Sequence, residues 1–113
     1  MSLILAGYVF DGPKSLKEYQ KTDISGIYGI FYLRMPDKKA ADYGVLYIGL
    51  TEELDAEQNF PASHQRYSCW VERGGNNADN LFIGFCPTPG VLPHQRESIK
   101  RYLVYKYNTL CNR

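Results

Sequence analysis

The sequence contains few cysteines, few histidines and almost no net charge. Its three cysteines, Cys69, Cys86 and Cys111, are an odd number without a C-x-x-C pair, a pattern typical of a reducing cytoplasm. A thiol-ligated zinc needs closely spaced ligand pairs, and the scattered cysteines with only His64 and His94 do not supply them. We therefore expect a cytoplasmic protein without a zinc site.

Long apolar segments are also lacking. The longest uncharged stretch, Asn80 to Gln95, contains three prolines and is too short to cross a membrane. The apolar stretch Leu3 to Phe10 has no basic flank before it and no small-residue cleavage site after it, so we expect no signal sequence. The net charge of +1 excludes a protein whose whole surface attracts polyanions, but it allows local basic patches.

What the sequence does contain is enough for one globular domain, with ten tyrosines among 113 residues. Aromatic and β-branched runs alternate with helical patterns and with Gly and Pro turns. The predicted core elements are a strand from Gly26 to Arg34, a strand from Gly44 to Leu50, a helix from Ala62 to Arg73, a strand from Leu81 to Cys86 and a helix from His94 to Tyr107. We expect an α+β fold with a central three-stranded, mostly antiparallel sheet flanked by helices.

The segment 1–24 is expected to be an N-terminal decoration. It is predicted to hold a short strand from Leu3 to Phe10, closed by a turn at residues 11–13. Two helical turns from Ser15 to Lys21 follow, in which Ser15 and Glu18 have the spacing of a capping box. Farther along, Thr51 followed by two glutamates suits the start of another helix.

Charge is distributed unevenly. Residues 37–57 carry a balance of −4, whereas residues 91–113 carry +4. A charged run is often only a solvated face, but this asymmetry favours a cationic side on the domain.

Alternation along the strands places Tyr28 and Tyr47 on one face if the first two core strands form a hairpin. Two adjacent phenols can hold a water and a phosphate oxygen, and a nearby cation can lower the affinity of a phenol for its proton. The simpler interpretation is a cross-strand pair that only packs.

The triplets Gly26-Ile27-Tyr28 and Tyr47-Ile48-Gly49 resemble the two strand motifs of the GIY-YIG nuclease superfamily. The order of the later residues is also similar, with Arg66 on a helix, a third strand, Glu97 early on a second helix, and a tail from Tyr107 to Asn112. The resemblance covers residues 26–112. It implies a metal-dependent endonuclease that hydrolyses phosphodiester bonds.

The resemblance also implies a role for each matching residue. Glu97 would bind the divalent metal, Mg²⁺ or Mn²⁺; without the resemblance, the helix dipole and an ion pair with Arg101 would be the favoured explanation of this glutamate. Arg66 would hold the scissile phosphate. Tyr28 would act as the base or position the water, Tyr47 would make a second contact to phosphate or water, and Asn112 would steady the site by a hydrogen bond.

The sequence departs from the family pattern in several places. Eighteen residues separate the two motifs and sixteen separate Gly49 from Arg66, both longer than is usual in the family. Trp70 stands where many members carry a His or Tyr, and Trp cannot accept a proton, so His64 is the candidate helper base. Thr109 replaces the proline of the tail.

The basic residues Arg66, Arg96, Lys100 and Arg101 are predicted to contact the phosphate backbone of DNA, which we favour over RNA. Because the chain is short, a partner protein or a second copy is expected to supply specificity. The alternative function is a GIY-YIG scaffold that binds nucleic acid or protein without cutting. That alternative is favoured by the changed spacing and by the acidic segment after the second motif.

Overall fold

A computed structural model describes residues 2–21, 23–34, 42–55 and 59–113. In these ranges the strands are β1 (Ser2–Leu5), β2 (Tyr8–Ser15), β3 (Gly26–Leu33), β4 (Tyr43–Leu50) and β5 (Leu81–Pro87). The α-helices are α1 (Thr51–Asp55), α2 (Tyr67–Arg73) and α3 (Pro93–Tyr107), and short 3-10 turns cover Leu16–Glu18, Ala78–Asn80 and Leu110–Asn112. The loop expected between β3 and β4 and part of the acidic segment, residues 35–41 and 56–58, lie outside the described residues.

The described strands form one antiparallel sheet in the order β1-β2-β5-β3-β4. The predicted three-stranded sheet is therefore wrong, since the N-terminal segment adds two strands beside β5. The run from Leu3 to Phe10 is not one strand, because Ala6 and Gly7 both take positive φ (50° and 89°) and fold it into a tight hairpin. The chain then continues as strand through residues 11–13, where a turn was expected.

The sheet buries a cluster of apolar side chains on each face. One cluster contains Tyr28, Tyr47 and Trp70, and the other contains Ile27, Ile48 and Leu103. Helix α2 contributes to the first cluster and helix α3 to the second, because Trp70 lies on α2 and Leu103 on α3. The paired tyrosines therefore lie on the face of the sheet opposite to α3.

The helices differ from their predicted bounds where local hydrogen bonds compete. Helix α1 begins at Thr51 as predicted, and α3 begins at Pro93, a residue suited to the first helical position. Helix α2 begins only at Tyr67, because i→i+3 hydrogen bonds fold the preceding residues into turns. The predicted helix from Ser15 is a single 3-10 turn in which Ser15 makes no capping hydrogen bond through its side chain.

Helix α3 packs against the sheet through the predicted residues Ile99, Leu103 and Tyr107. Tyr102, which was expected beside them, is 48% exposed. None of the described helices is long and apolar enough to cross a membrane.

A disulfide joins Cys69 on α2 to Cys111 in the last 3-10 turn, across 42 residues of chain. Cys86 is the buried free thiol that makes the count odd. The cysteine pattern, interpreted above as a sign of a reducing compartment, is thus one crosslink plus one buried thiol.

Candidate active site

Tyr28 and Tyr47 lie side by side on the same face of the sheet, as strand alternation predicts. In the β3–β4 register, Tyr28 is opposite Gly49 and Tyr47 is opposite Ile30, so the two tyrosines are diagonal neighbours. Their ring centroids are 5.9 Å apart. Tyr28 is fully buried and Tyr47 is 6% exposed, so solvent reaches this pair only at Tyr47.

The outer glycines of the two motifs make room for this arrangement. A Cβ on Gly49 would lie 2.5 Å from the ring of Tyr28, so only glycine lets that ring lie across β4. A Cβ on Gly26 would lie 2.2 Å from the carbonyl oxygen of Cys86 on β5. Both glycines are therefore needed for close approach, by a ring in one case and by a neighbouring strand in the other.

His64 fixes the hydrogen-bond pattern at the buried end of the site. The backbone N–H of Arg66 donates to Nδ1 of His64 over 3.0 Å. Nδ1 is thus an acceptor, and the proton of the neutral ring must lie on Nε2. Nε2 is 3.4 Å from the hydroxyl oxygen of Tyr28, to which it donates. In this tautomer His64 orients Tyr28 and has no free nitrogen with which to act as the helper base predicted from the sequence.

The hydrogen bonds continue from Tyr28 to the surface. Tyr28 is hydrogen-bonded to the Tyr47 hydroxyl, which in turn donates to Oε2 of Glu53 over 3.4 Å. Burial, followed by the negative charge of Glu53, raises the pKa of Tyr47 to about 12, although Tyr28 and Arg66 act in the opposite direction. Tyr47 therefore keeps its proton at neutral pH and serves as a donor, contrary to the expectation that a cation would make a phenol more acidic.

Glu53 connects the tyrosines to helix α3. Its Oε1 lies 3.8 Å from Nζ of Lys100, which is also 4.0 Å from Oε1 of Glu97. Arg101 lies 3.3 Å from the same Glu97 oxygen. The ammonium of Lys100 thus lies between two carboxylates, and the predicted ion pair of Glu97 with Arg101 is present.

Arg66 lies just before α2, as its N-cap residue, and not within the helix as the sequence predicted. Its guanidinium is close enough to Tyr47 to favour ionisation of that phenol. Arg66 therefore lies near Tyr47 although the segment between Gly49 and Arg66 is long.

Arg96 is placed differently from the other predicted phosphate contacts. It is 7% exposed, and its guanidinium binds the Glu52 carboxylate, the Thr88 hydroxyl (3.0 Å) and the Val91 carbonyl (3.1 Å). These partners use the planar donor fork of arginine inside the fold. The placement supports a structural role, which ties α1 to α3, and does not support contact with a phosphate backbone.

Asn112 binds β4 through both ends of its side-chain amide. Its Oδ1 accepts the backbone N–H of Ile48 and its Nδ2 donates to the carbonyl of Ile48, both over 2.8 Å. The hydroxyl of Thr109 donates to the same Oδ1 over 2.6 Å. Asn112 thus fixes the strand between Tyr47 and Gly49, and Thr109, which stands in place of the tail proline, contributes a further donor.

The indole of Trp70 closes the buried side of the cluster. Its ring lies 4.6 Å from that of His64 and 5.3 Å from that of Tyr47, measured between centroids. Its buried Nε1 has no hydrogen-bond partner among the described residues. Trp70 therefore packs against the site and takes no part in its chain of hydrogen bonds.

Few side chains near Glu97 could bind a hard cation. The described part of the chain holds no group of three or more His, Cys, Asp or Glu side chains that could bind a metal. Mg²⁺, however, is commonly held by one or two carboxylates together with waters and substrate phosphates. Glu97 and Glu53 supply two carboxylates around a position that already holds a positive charge, so these residues fit Mg²⁺ if Lys100 moves aside.

Comparison with protein-family models, with curated proteins and with solved structures finds no match for this chain.

Sequence reasoning missed Glu53. Its carboxylate was explained by the positive end of a helix dipole, and that explanation hid its position six residues after Tyr47. When a helix begins directly after a strand, the side chains of its first turn lie close to the end of that strand. A carboxylate six residues after a motif tyrosine could therefore have been predicted to contact it.

Proposed function

We propose that this protein is a metal-dependent endonuclease of the GIY-YIG type that hydrolyses phosphodiester bonds in DNA. The observation that carries the proposal is the directed series of hydrogen bonds from His64 through Tyr28 and Tyr47 to Glu53. The series ends at Glu53, a partly exposed residue that lies beside Lys100 and, through it, Glu97. Phosphodiester hydrolysis needs a group to take the proton of water and positive charge for the phosphate oxygens.

We assign these tasks to other residues than the sequence prediction did. Tyr47 is protonated at neutral pH and directs its only proton to Glu53, so its hydroxyl oxygen accepts a hydrogen bond from the attacking water and takes the water's proton as it gives its own to Glu53. Glu53 accepts the proton, because it is the carboxylate already aligned on Tyr47. Tyr28, which is fully buried, is a positioning residue that acts through Tyr47.

The cationic groups complete the proposed site. Arg66 binds the scissile phosphate from the side of Tyr47. Glu97, with Glu53, would hold Mg²⁺ or Mn²⁺, and such an ion supplies charge neutralisation on the phosphate oxygens and a more acidic water. Lys100 is the residue that must leave the carboxylates for that to occur, and it is then free to contact phosphate.

The test is nicking of supercoiled plasmid in the presence of Mg²⁺ or Mn²⁺. Glu97→Gln keeps the size of the side chain and should abolish nicking while the circular dichroism spectrum stays unchanged. The matched control is Glu72→Gln, which removes a carboxylate exposed on α2 and should retain full activity. Undiminished nicking by Glu97→Gln would contradict the proposal, as would a wild-type protein that never cuts.

A second candidate function is a scaffold that binds nucleic acid without cutting it. The observation that favours it is the placement of Lys100, whose ammonium already compensates Glu53 and Glu97. Titration with Mn²⁺ separates the two functions, since a nuclease should bind Mn²⁺ in a manner lost in Glu97→Gln. A scaffold should bind DNA and show no Mn²⁺ site.

Partners and compartment are part of the same proposal. A second copy or a partner protein would supply specificity, and sedimentation with and without DNA tests this. In a cytoplasmic location Cys69 and Cys111 would be held as thiols. Alkylation of thiols at the moment of cell lysis, followed by mass spectrometry, shows which form the cell contains.

A further inference from the structure

A groove of about 600 Å³ runs along α3 beside the last 3-10 turn. Its helical wall includes Glu97, the neighbouring pair Lys100 and Arg101, and Tyr105, which follow one another at intervals of about one helical turn along one side of α3. Arg113, after the last 3-10 turn, also lines the groove. The groove begins at Glu97 and Lys100, the residues that link α3 to the candidate active site.

Three of the four charged side chains that line the groove are cationic. Lys100, Arg101 and Arg113 face one carboxylate, that of Glu97. Arg101 is 77% exposed even though it pairs with Glu97, so its guanidinium remains accessible to a further anion. A positively charged groove of this kind complements the backbone of a polyanion.

Tyr105 adds an aromatic surface to the charge. It is 86% exposed, the highest value among the exposed large hydrophobic residues in the described part of the chain. An aromatic ring beside a cationic track is the arrangement on which unpaired bases stack, whereas bases in a duplex hide their faces from such a ring. The combination therefore distinguishes a single strand from a double helix.

We propose that this groove binds a single-stranded segment of nucleic acid and guides it toward Glu97. The inference rests on the proposed function for the fate of the strand, but the binding itself requires no catalysis. From Glu97 to Asn108 the helix rises about 16 Å, enough for about five stacked nucleotides. The preferred substrate is then DNA with an unpaired flap or gap beside the bond that is cut.

The experiment measures fluorescence anisotropy of a labelled twelve-residue oligothymidylate in EDTA, with a hairpin duplex of equal length for comparison. The full chain should bind the single strand more tightly than the duplex. Tyr105→Ala should weaken single-strand binding at least five-fold, since a stacked base is lost. The control is Tyr102→Ala, which removes a half-exposed tyrosine that lies on α3 outside the groove and should change little.

A second pair of variants tests the charges. Arg101→Gln should reduce the slope of log affinity against log salt by about 0.7, the value for one phosphate contact on a single strand. Lys106→Gln removes an exposed charge on α3 outside the groove and should leave the slope unchanged. Oligouridylate that binds with the same dependence on Tyr105 supports the groove equally.

The outcomes separate this inference from the proposed function. Equal or tighter binding of the duplex overturns the groove, and so do equal effects of Tyr105→Ala and Tyr102→Ala. Binding of single strands with the predicted variant effects, but without nicking under any metal, supports the groove and overturns the nuclease. Nicking by a protein whose Tyr105 and Arg101 variants bind normally supports the nuclease and overturns the groove.

Discussion

The hydroxyl of Tyr47 donates to Oε2 of Glu53 across the junction between strand β4 and helix α1. The two residues are six positions apart, so one short segment of chain holds both the donor and the acceptor. Tyr47 is a fixed donor in this pair, because burial and then the negative charge of Glu53 both disfavour its phenolate form.

Glu53→Gln should lower the pKa of Tyr47, because the negative charge that raises it is removed while an oxygen remains to accept the hydrogen bond. Nicking should fall on the order of 100-fold, since the proposed proton acceptor is lost. Tyrosine labelled with ¹³C at Cζ reports the titration, with Tyr47→Phe for assignment and Glu72→Gln as the control. An unchanged Tyr47 pKa in Glu53→Gln would contradict the interaction between Glu53 and Tyr47.

The raised pKa of Tyr47 makes stability depend on pH in the alkaline range. The native state binds the phenolic proton more tightly than the unfolded state, with a pKa of about 12 in place of 10.0. The free energy of unfolding is therefore unaffected by the ionisation of this tyrosine below pH 10. It falls by up to about 3 kcal/mol as the pH rises toward 12. Urea unfolding at pH 9 to 11.5 should show this decline, and Tyr47→Phe should show a weaker one. Parallel curves for both proteins would contradict the assignment.

The same substitution should destabilise the protein at Arg96 and leave its stability unchanged at Arg101. Arg96→Gln should lower the free energy of unfolding by about 2 kcal/mol, because a buried guanidinium loses its charged and neutral partners. Arg101 is exposed, so Arg101→Gln should leave the unfolding energy within about 0.5 kcal/mol of wild type. Urea unfolding measures both. If Arg96→Gln were neutral for stability and weakened DNA binding, the sequence-based role of Arg96 as a phosphate contact would be restored.

Asn112→Ala should destabilise the fold by about 2 kcal/mol, since the N–H and carbonyl of buried Ile48 both lose their partner. Asn112→Asp retains the acceptor but places a carboxylate oxygen against the Ile48 carbonyl, so it should destabilise the fold as well. Hydrogen exchange of the Ile48 amide provides the local measurement. Exchange that is unchanged in Asn112→Ala would mean that the side chain does not hold β4.

The disulfide should stabilise the protein by about 4 kcal/mol, the loop-entropy value for a crosslink across this length of chain. Unfolding in urea with and without reductant measures the difference. Cys69→Ser should behave like the reduced protein and be insensitive to reductant. Equal stability of the oxidised and reduced wild type would contradict a role for the crosslink in holding the last turn.

Strands β3, β4 and β5 could be predicted from the sequence because their aromatic and β-branched runs are bounded by clear turn residues. The hairpin of β1 and β2 was hidden, since its turn is only Ala6 and Gly7 inside an apolar run. The pairing of Tyr28 with Tyr47 followed from alternation. The role of Arg96 did not, because an arginine on a helix gives no sign in the sequence of partners that lie up to 44 residues away.

Strand β4 is an edge strand of the sheet, and exposed edge strands can pair with strands of other chains. The amide of Asn112 occupies both the donor and the acceptor of Ile48, which are the groups that a foreign strand would use. The residue matched to the family tail thus also acts against self-association. Loss of its amide should therefore appear as aggregation on concentration, even in a variant that is still folded.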